Sequence, residues 1–238
     1  MHYCCSDIHG QGALWDRLLQ ELQLKEDDVL YVLGDVIDRG PDGIRILQEI
    51  MQSENMVMFL GNHELLMLDY LRGEQNSWFH EANRGDITLE AFNKLSEEEQ
   101  KDLVVFLKNT WIQQYITIGS ESYALHHSYF IPDRQGEDIR YPEARYDDIS
   151  TAVWYSPFRK DQLYISKREY ENDSYIHVVG HVPVQLIDQD RPPLYRCRGH
   201  VINIDGGCSL IPYGKQGGLY CMSLEKDENG ARKEFYVQ

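Results

Sequence analysis

The sequence predicts an α/β domain organised on a parallel sheet, and three observations carry that expectation. Apolar runs of strand length recur through the N-terminal part of the chain: HYCC at 2–5, VLYVL at 29–33 and MVMFL at 56–60. Stretches with helical spacing of their apolar residues separate them. Each run then ends in a polar cluster, SDIHG, GDVIDRG and GNHE in turn. Continuous apolar strands alternating with amphipathic helices imply a sheet covered on both faces. In such sheets ligands bind beyond the carboxyl ends of the strands. All three polar clusters therefore belong on one edge.

The elements follow in order. After the first strand, Leu14, Leu18, Leu19 and Leu22 lie on one helical face. After the second, Pro41 is a favoured first helical residue, and Ile44, Leu47, Ile50 and Met51 repeat at helical spacing. ELLMLDYL opens a third helix directly from GNHE. Residues 74–115 read as mainly helical, with Ser96 and Glu99 spaced as a capping box. Lying between site clusters, this segment is expected to form a helical cap over the site. The second half carries short strand-like runs at 123–126, 175–179, 201–204 and 218–224, separated by turn residues. Residues 132–173, rich in charge, Tyr and Pro, have no assigned structure. Neither a repeat nor a linker interrupts the chain, so residues 1–238 are expected to form one domain.

Composition narrows the function. At 42% hydrophobic and 26% charged the chain is an ordinary globular protein. No window approaches the length of a membrane span, and MHYCCSDIHG lacks the basic and apolar regions of a secretory signal. The net charge of −16 and the lack of a basic stripe argue against nucleic acid as a partner. Most of that charge is solvated surface; a few carboxylates could face bound cations. Five cysteines, Cys4 and Cys5 adjacent in a strand and the rest scattered, without a C-x-x-C pair, read as reduced thiols of a cytoplasmic protein.

The predicted strand ends gather Asp7, His9, Asp35, Asp38, Asn62, His63, His126, His127 and His181. Oxygen donors mixed with imidazoles suit manganese, iron, zinc or cobalt better than a thiolate zinc site. Asp7 and His9, two apart on extended backbone, point to one side and can reach one metal. A second ion could use Asn62 and later histidines, with Asp35 between the two. Paired metals activate water and clamp phosphoryl oxygens. Arg39 offers a planar fork for phosphate. His63 could protonate a leaving alkoxide, with Asp38 holding its ring and raising its pKa.

These motifs resemble the three signatures of the calcineurin-like metallophosphoesterases, in particular the bacterial phosphoprotein phosphatases and the symmetrical diadenosine tetraphosphatases. VVGHVPV is similar to the family's Gly-His-Thr-Pro motif, and NIDGGC followed by GGLYCMSL to its closing strand and hairpin. Trp78 with NRGDITL (83–89) is similar to a segment of bacterial members. The resemblance implies a two-sheet β-sandwich flanked by helices. It also implies two divalent ions, manganese foremost, with iron or zinc as alternatives. Asp7, His9 and Asp35 would hold the first ion. Asp35, Asn62, His181 and one histidine of the 126/127 pair would hold the second, His126 fitting better because Ser128 then takes a small-residue position. His63 with Asp38 is the implied acid pair, and Arg39 and Asn62 bind phosphate. Ser6 and Val182 depart from the usual Gly and Thr. The position of a second phosphate arginine is Ser156, leaving Arg159, Arg168 or Arg84 as substitutes, with Arg159 preferred.

A lone Asp or His at a strand end is more often a helix cap or turn residue than a ligand. Five such residues at three consecutive strand ends are not explained that way. His2, His80, His177 and His200 read as surface or packing residues, and Glu64 as a structural hydrogen-bonding partner. Asp205 reads equally as structural or as lying just behind the metals. The expected function is hydrolysis of a phosphate monoester, foremost phosphoserine or phosphothreonine in proteins, by direct attack of a bridging hydroxide without a phosphoenzyme. The alternative is cleavage of a symmetrical dinucleoside tetraphosphate. A catalytically inactive binding module is the distant third reading.

Overall fold

The computed structural model describes residues 1–158, 174–187, 196–198 and 200–238. Two sheets face each other. The first has the order β11-β10-β1-β2-β3, built from β1 (His2–Cys5), β2 (Val29–Val32), β3 (Met56–Met58), β10 (Leu219–Lys226) and β11 (Arg232–Val237). The second has the order β6-β4-β5-β7-β9-β8. Its strands are β4 (Trp111–Ile118), β5 (Glu121–His126), β6 (Ile139–Arg140), β7 (Ile176–Val179), β8 (Arg196–Arg198) and β9 (Val201–Asn203). The predicted parallel core is present as β1, β2 and β3 in parallel register. The second sheet contains its own parallel trio, β5, β7 and β9.

Side-chain alternation divides each strand between two cores. Cys4, Tyr31, Leu33, Phe59, Tyr220 and Met222 point inward from the first sheet. They meet Tyr123, Leu125, Val178, Ile202 and Ile204 from the second. The opposite face of the first sheet, with Tyr3, Cys5, Leu30, Val32 and Met58, packs under helices α1 (Gly12–Leu22) and α2 (Gly43–Gln52). Trp15, Leu18, Ile44, Leu47 and Ile50 supply the helical side. Both faces of β2 are therefore dry, which is why VLYVL is apolar throughout. Among the described residues, Cys4, Cys5, Cys208 and Cys221 are buried free thiols.

Helix α3 (Asn62–Leu71) starts inside GNHE, so the motif's Asn and His occupy its first turn. Helices α4 (Gly85–Phe92) and α5 (Glu97–Leu107) follow, then α6 (Tyr146–Trp154) and the short α7 (Val184–Ile187). The Ser96 capping box is present: its hydroxyl accepts from Glu99 N–H and the Glu99 carboxylate accepts from Ser96 N–H at 2.8 Å.

Two expectations need correction. Residues 74–115 are not helical to their end, because WIQQYITI begins strand β4 at Trp111. Its β-branched and aromatic residues favour a pleated surface, and β4 pairs with β5 in antiparallel register. Helices α4 and α5 pack against α2, and α5 also against α3, while Ala82 and Asn83 of the same segment line the cavity over the site. Pro41 stands two residues before the first helical residue of α2 instead of at it.

No helix among the described residues is long and apolar enough to cross a membrane. At the end remote from the polar loops, Glu121 of β5 joins the sheets. Its carboxylate accepts from Lys226 Nζ at 2.7 Å and from an Arg232 guanidinium nitrogen at 2.8 Å.

Candidate metal centre

The carboxyl ends of both parallel trios meet at one edge. Asp7 and His9 follow β1; Asp35, Asp38 and Arg39 follow β2; Asn62 and His63 follow β3. From the second sheet come His127 after β5, His181 after β7 and Asp205 after β9. The sequence placed the histidines of 126/127 and His181 at strand ends as well, but not the parallel trio that carries them to this edge.

The loops are locked to one another through backbone. Asp7 N–H donates to Gly34 O at 3.1 Å, His9 N–H to Asp35 O at 3.0 Å and Gly10 N–H to Val36 O at 2.7 Å. A Cβ added to Gly10, at φ 63°, would lie 2.3 Å from Gly40 O, so the terminal glycines of SDIHG and GDVIDRG permit this contact. Glu64 fastens the second pair of loops. Its buried carboxylate accepts from the backbone N–H of Asp35 (2.9 Å), Val36 (2.8 Å), Ile37 (3.3 Å) and Gly61 (3.0 Å). It is thus the structural partner that the sequence suggested. Asp7, His9, Asp35, Asp38, Arg39 and His181 all have positive φ, between 49° and 72°. Such backbone is rare outside glycine and clusters where a site over-determines it.

Two groups of donor atoms form around Asp35. In the first, His9 Nε2 lies 3.8 Å from Asp7 Oδ1 and 3.7 Å from Asp35 Oδ2, with His63 Nε2 3.9 Å from the same Asp35 oxygen. In the second, His127 Nε2 lies 3.6 Å from Asp35 Oδ1 and 3.1 Å from Asn62 Oδ1, while His181 Nδ1 lies 2.8 Å from Asn62 Oδ1. One carboxylate therefore presents a different oxygen to each group.

The proton positions test whether cations fit. His9 Nδ1 meets the Ile37 carbonyl at 3.1 Å and His127 Nδ1 meets the Leu33 carbonyl at 2.7 Å. A carbonyl can only accept, so each neutral ring carries its proton on Nδ1 and turns a lone pair on Nε2 into the site. Burial, then the charge of Arg39, lowers the pKa of His9 well below the ordinary histidine value and keeps that ring neutral. His127 Nε2 consequently faces the oxygens of Asp35 and Asn62, while His9 Nε2 lies among Asp7, Asp35 and an Arg39 guanidinium nitrogen. Asp7 Oδ1 and Asp205 Oδ2 are buried without any hydrogen-bond partner. Lone pairs converging on shared points, with buried oxygens left unpaired, are what divalent cations would satisfy.

The choice of His126 is a correction. His126 sits on the opposite side of β5, where its Nε2 lies 2.9 Å from His177 Nδ1 beneath Phe130. The ring that reaches Asp35 and Asn62 is His127. Ser128, the residue that favoured His126, donates instead to Tyr155 O. His177 is a packing residue as expected, His2 pairs with Glu225 at 2.7 Å, and His200 is exposed.

His63 Nδ1 lies 2.6 Å from Asp38 Oδ2. Asp38 also accepts from Trp78 Nε1 at 2.9 Å and from the Thr88 hydroxyl at 2.6 Å. The roles of Trp78 and Thr88 were not read from the sequence, although both fall in the segment whose resemblance was noted. Burial pushes the Asp38 carboxyl up to about 7, against these hydrogen bonds. The expectation that Asp38 raises the pKa of His63 is not met, because burial outweighs the neighbouring carboxylates and lowers it to about 4. The hydrogen bond fixes the ring with Nε2 turned toward Asp35.

Arg39 donates through Nε to Ala82 O at 3.1 Å, and one of its terminal nitrogens contacts His9 Nε2. Arg84 has φ 57° at the N-terminus of α4 and does not line the site. Arg159 and Arg168 lie outside the described residues. Ser156 is buried and accepts from Phe158 N–H at 3.3 Å, so it offers nothing to a ligand. Over the donor groups opens a cavity of about 530 Å³, bounded by Arg39, His63, Asn83, Trp154, Leu186 and Lys215 among others.

This architecture, two sheets with polar loops converging on a shared carboxylate, defines a two-sheet metallohydrolase class. The chain belongs to the calcineurin-like phosphoesterase family, whose profile matches residues 3–205. It is 36% identical over 77 residues to a symmetrical bis(5'-nucleosyl)-tetraphosphatase of Delftia acidovorans, covering 32% of this chain but only 27% of that relative. It is 31% identical over 127 residues to serine/threonine-protein phosphatase 2 of Escherichia coli, covering 51% of this chain and 55% of that protein. The fold is similar to that of a protein serine/threonine phosphatase from Saccharomyces cerevisiae, with TM-score 0.66 at 15% identity over 100% of this chain and 80% of the other.

Proposed function

We propose that the chain is a metal-dependent phosphoesterase that hydrolyses phosphate monoesters, foremost phosphoserine or phosphothreonine in proteins. The observation that carries the reading is the pair of donor groups sharing Asp35, with histidine ring nitrogens turned toward its two oxygens from opposite sides. Asp7, His9 and Asp35 would hold one divalent ion; Asp35, Asn62, His127 and His181 would hold the other. Manganese is the first candidate, with iron or zinc next, since mixed oxygen and imidazole donors suit all three. Ions held there would supply Lewis acidity toward water and phosphoryl oxygen.

The remaining residues act on the substrate directly. Arg39, tethered to Ala82 O, presents a guanidinium fork to phosphate oxygens. The Asn62 amide group is positioned to contact the phosphate from the second group. His63 turns Nε2 toward the site and in its protonated form can deliver a proton to the leaving oxygen, while Asp38, held by Trp78 and Thr88, fixes the ring. Among the described residues no thiol is placed as a nucleophile: Cys5 and Cys208 are buried, and burial raises both thiols well above their ordinary range.

Relatives of both kinds match over similar lengths, 127 residues at 31% identity for the Escherichia coli phosphatase and 134 residues at 26% for a symmetrical tetraphosphatase of Chromobacterium violaceum, so substrate choice rests on assay. The name of the Delftia relative favours the second reading, hydrolysis of a symmetrical dinucleoside tetraphosphate. Steady-state kcat/KM on a phosphothreonine peptide and on diadenosine tetraphosphate, both with manganese, separates them. A higher value on the peptide supports the first reading; a higher value on the dinucleotide replaces it with the second. Failure to cleave either substrate or p-nitrophenyl phosphate would leave only a binding module.

A further inference from the structure

One wall of the cavity, beside Arg39, is built by a loop that the resemblance did not assign to the site. A 3-10 turn, Cys208–Tyr213, ends at Gly214 in left-handed conformation (φ 69°) and leads into Lys215. The loop is fastened at two points. The Tyr213 hydroxyl donates to the carbonyl oxygens of Glu81 and Ala82, each at 3.2 Å, and Lys215 N–H donates to Leu210 O at 3.3 Å. Ala82 O is also the acceptor for Arg39 Nε at 3.1 Å. One carbonyl thus anchors both Arg39 and the loop that carries Lys215, and both cations line the same cavity.

Lys215 is exposed, and among the described residues no carboxylate lies within ion-pair distance of it. Among the described residues that line the cavity, histidines aside, Arg39, Lys215 and Asp35 carry charge, two cations against one carboxylate. That balance opposes the net charge of −16 carried by the whole chain. A free ammonium held on a fastened loop beside a phosphate site, in an otherwise acidic protein, has a use if the ligand carries a second negative charge.

We propose that Lys215 binds a second anionic group of the substrate, distinct from the scissile phosphate bound by Arg39, and so selects substrates that carry two. This rests on the phosphoesterase reading and names its specificity determinant. The second anion has two sources: an acidic side chain flanking a phosphorylated residue, or a further phosphate of a polyphosphate chain.

The test uses the full-length manganese-loaded enzyme and its Lys215→Gln and Lys215→Arg variants. One arm compares a phosphothreonine peptide flanked by aspartates with its alanine-flanked counterpart. The other compares diadenosine tetraphosphate with p-nitrophenyl phosphate, which carries a single anionic group. Wild type is expected to prefer the two-anion substrate, chiefly through KM. Lys215→Gln should shrink that preference about fivefold, the scale of an exposed ion pair, and Lys215→Arg should keep most of it. Loss confined to the peptide arm assigns the second anion to flanking carboxylates; loss confined to the dinucleotide arm assigns it to the phosphate chain. A preference absent from wild type in both arms, or unchanged in Lys215→Gln, overturns the assignment. If wild type cleaves none of the four substrates, the phosphoesterase reading itself has failed.

Discussion

Asp35 turns its Oδ1 toward His127 and its Oδ2 toward His9 and His63, at 3.6, 3.7 and 3.9 Å respectively. Replacing it by Asn leaves one neutral oxygen and an amide where both groups need an anionic donor. Asp35→Asn is expected to lower kcat/KM by at least about a hundredfold, measured on p-nitrophenyl phosphate with manganese. His63→Asn should cost a similar factor in kcat, in keeping with an acid role. It should leave the metal content intact, because the proposed ligand sets do not include His63; metal lost with activity would make His63 a ligand. The ligand loops were legible because Asp, Asn and His directly after buried apolar runs have no structural excuse. The 126/127 pair was not, because both residues are polar at one strand end. Only the pleat decides between them: Tyr123 and Leu125 enter the inter-sheet core, and His126 turns away from it.

At the scale of elements, the site depends on loops that could not hold their shape alone. The contact of Gly10 with Gly40 leaves no room for a methyl group, and Gly10 has positive φ. Gly10→Ala is expected to lower the stability by about 2–4 kcal/mol, read as a fall in the urea midpoint. Trp78 and Thr88 reach Asp38 from forty and fifty residues further along the chain. Nothing in periodicity announces such a contact, so the support behind the acid pair stayed hidden until the fold brought it near. Strand β4 was mistaken for the end of a helical segment for a different reason. The helical pattern of 97–107 was extended past Asn109 and Thr110 into WIQQYITI, whose own residues favour a strand. The parallel second trio, β5, β7 and β9, escaped notice because these strands are short and far apart along the chain, whereas β1 to β3 follow one another closely through regular helices.

For the whole molecule, the two sheets are held by a dry core in the middle and by the Glu121 cluster at the end away from the site. Burial raises the Glu121 pKa, but the hydrogen bonds from Lys226 and Tyr123 and the charge of Arg232 outweigh it, leaving the net value below the ordinary 4.5. A carboxyl depressed on folding contributes stability above its unfolded pKa and loses it as the pH falls through the folded value. Glu121→Gln should therefore lower the Tm at pH 7 and make no difference to it at the acid end of the range, below that depressed value. An equal loss at both pH values would mean that packing, not charge, holds this end. The same two-sheet arrangement explains why His127, His181 and Asp205 join residues from the first three strands at one edge.

The measurement that bears most directly on the shared-carboxylate site is the metal content of the purified chain after manganese loading and removal of free ion, for wild type, His127→Ala and His126→Ala. Two ions per chain are predicted for wild type and for His126→Ala, and fewer than two for His127→Ala. A wild-type chain that never holds more than one ion, or a His127→Ala variant that still holds two, would contradict the account.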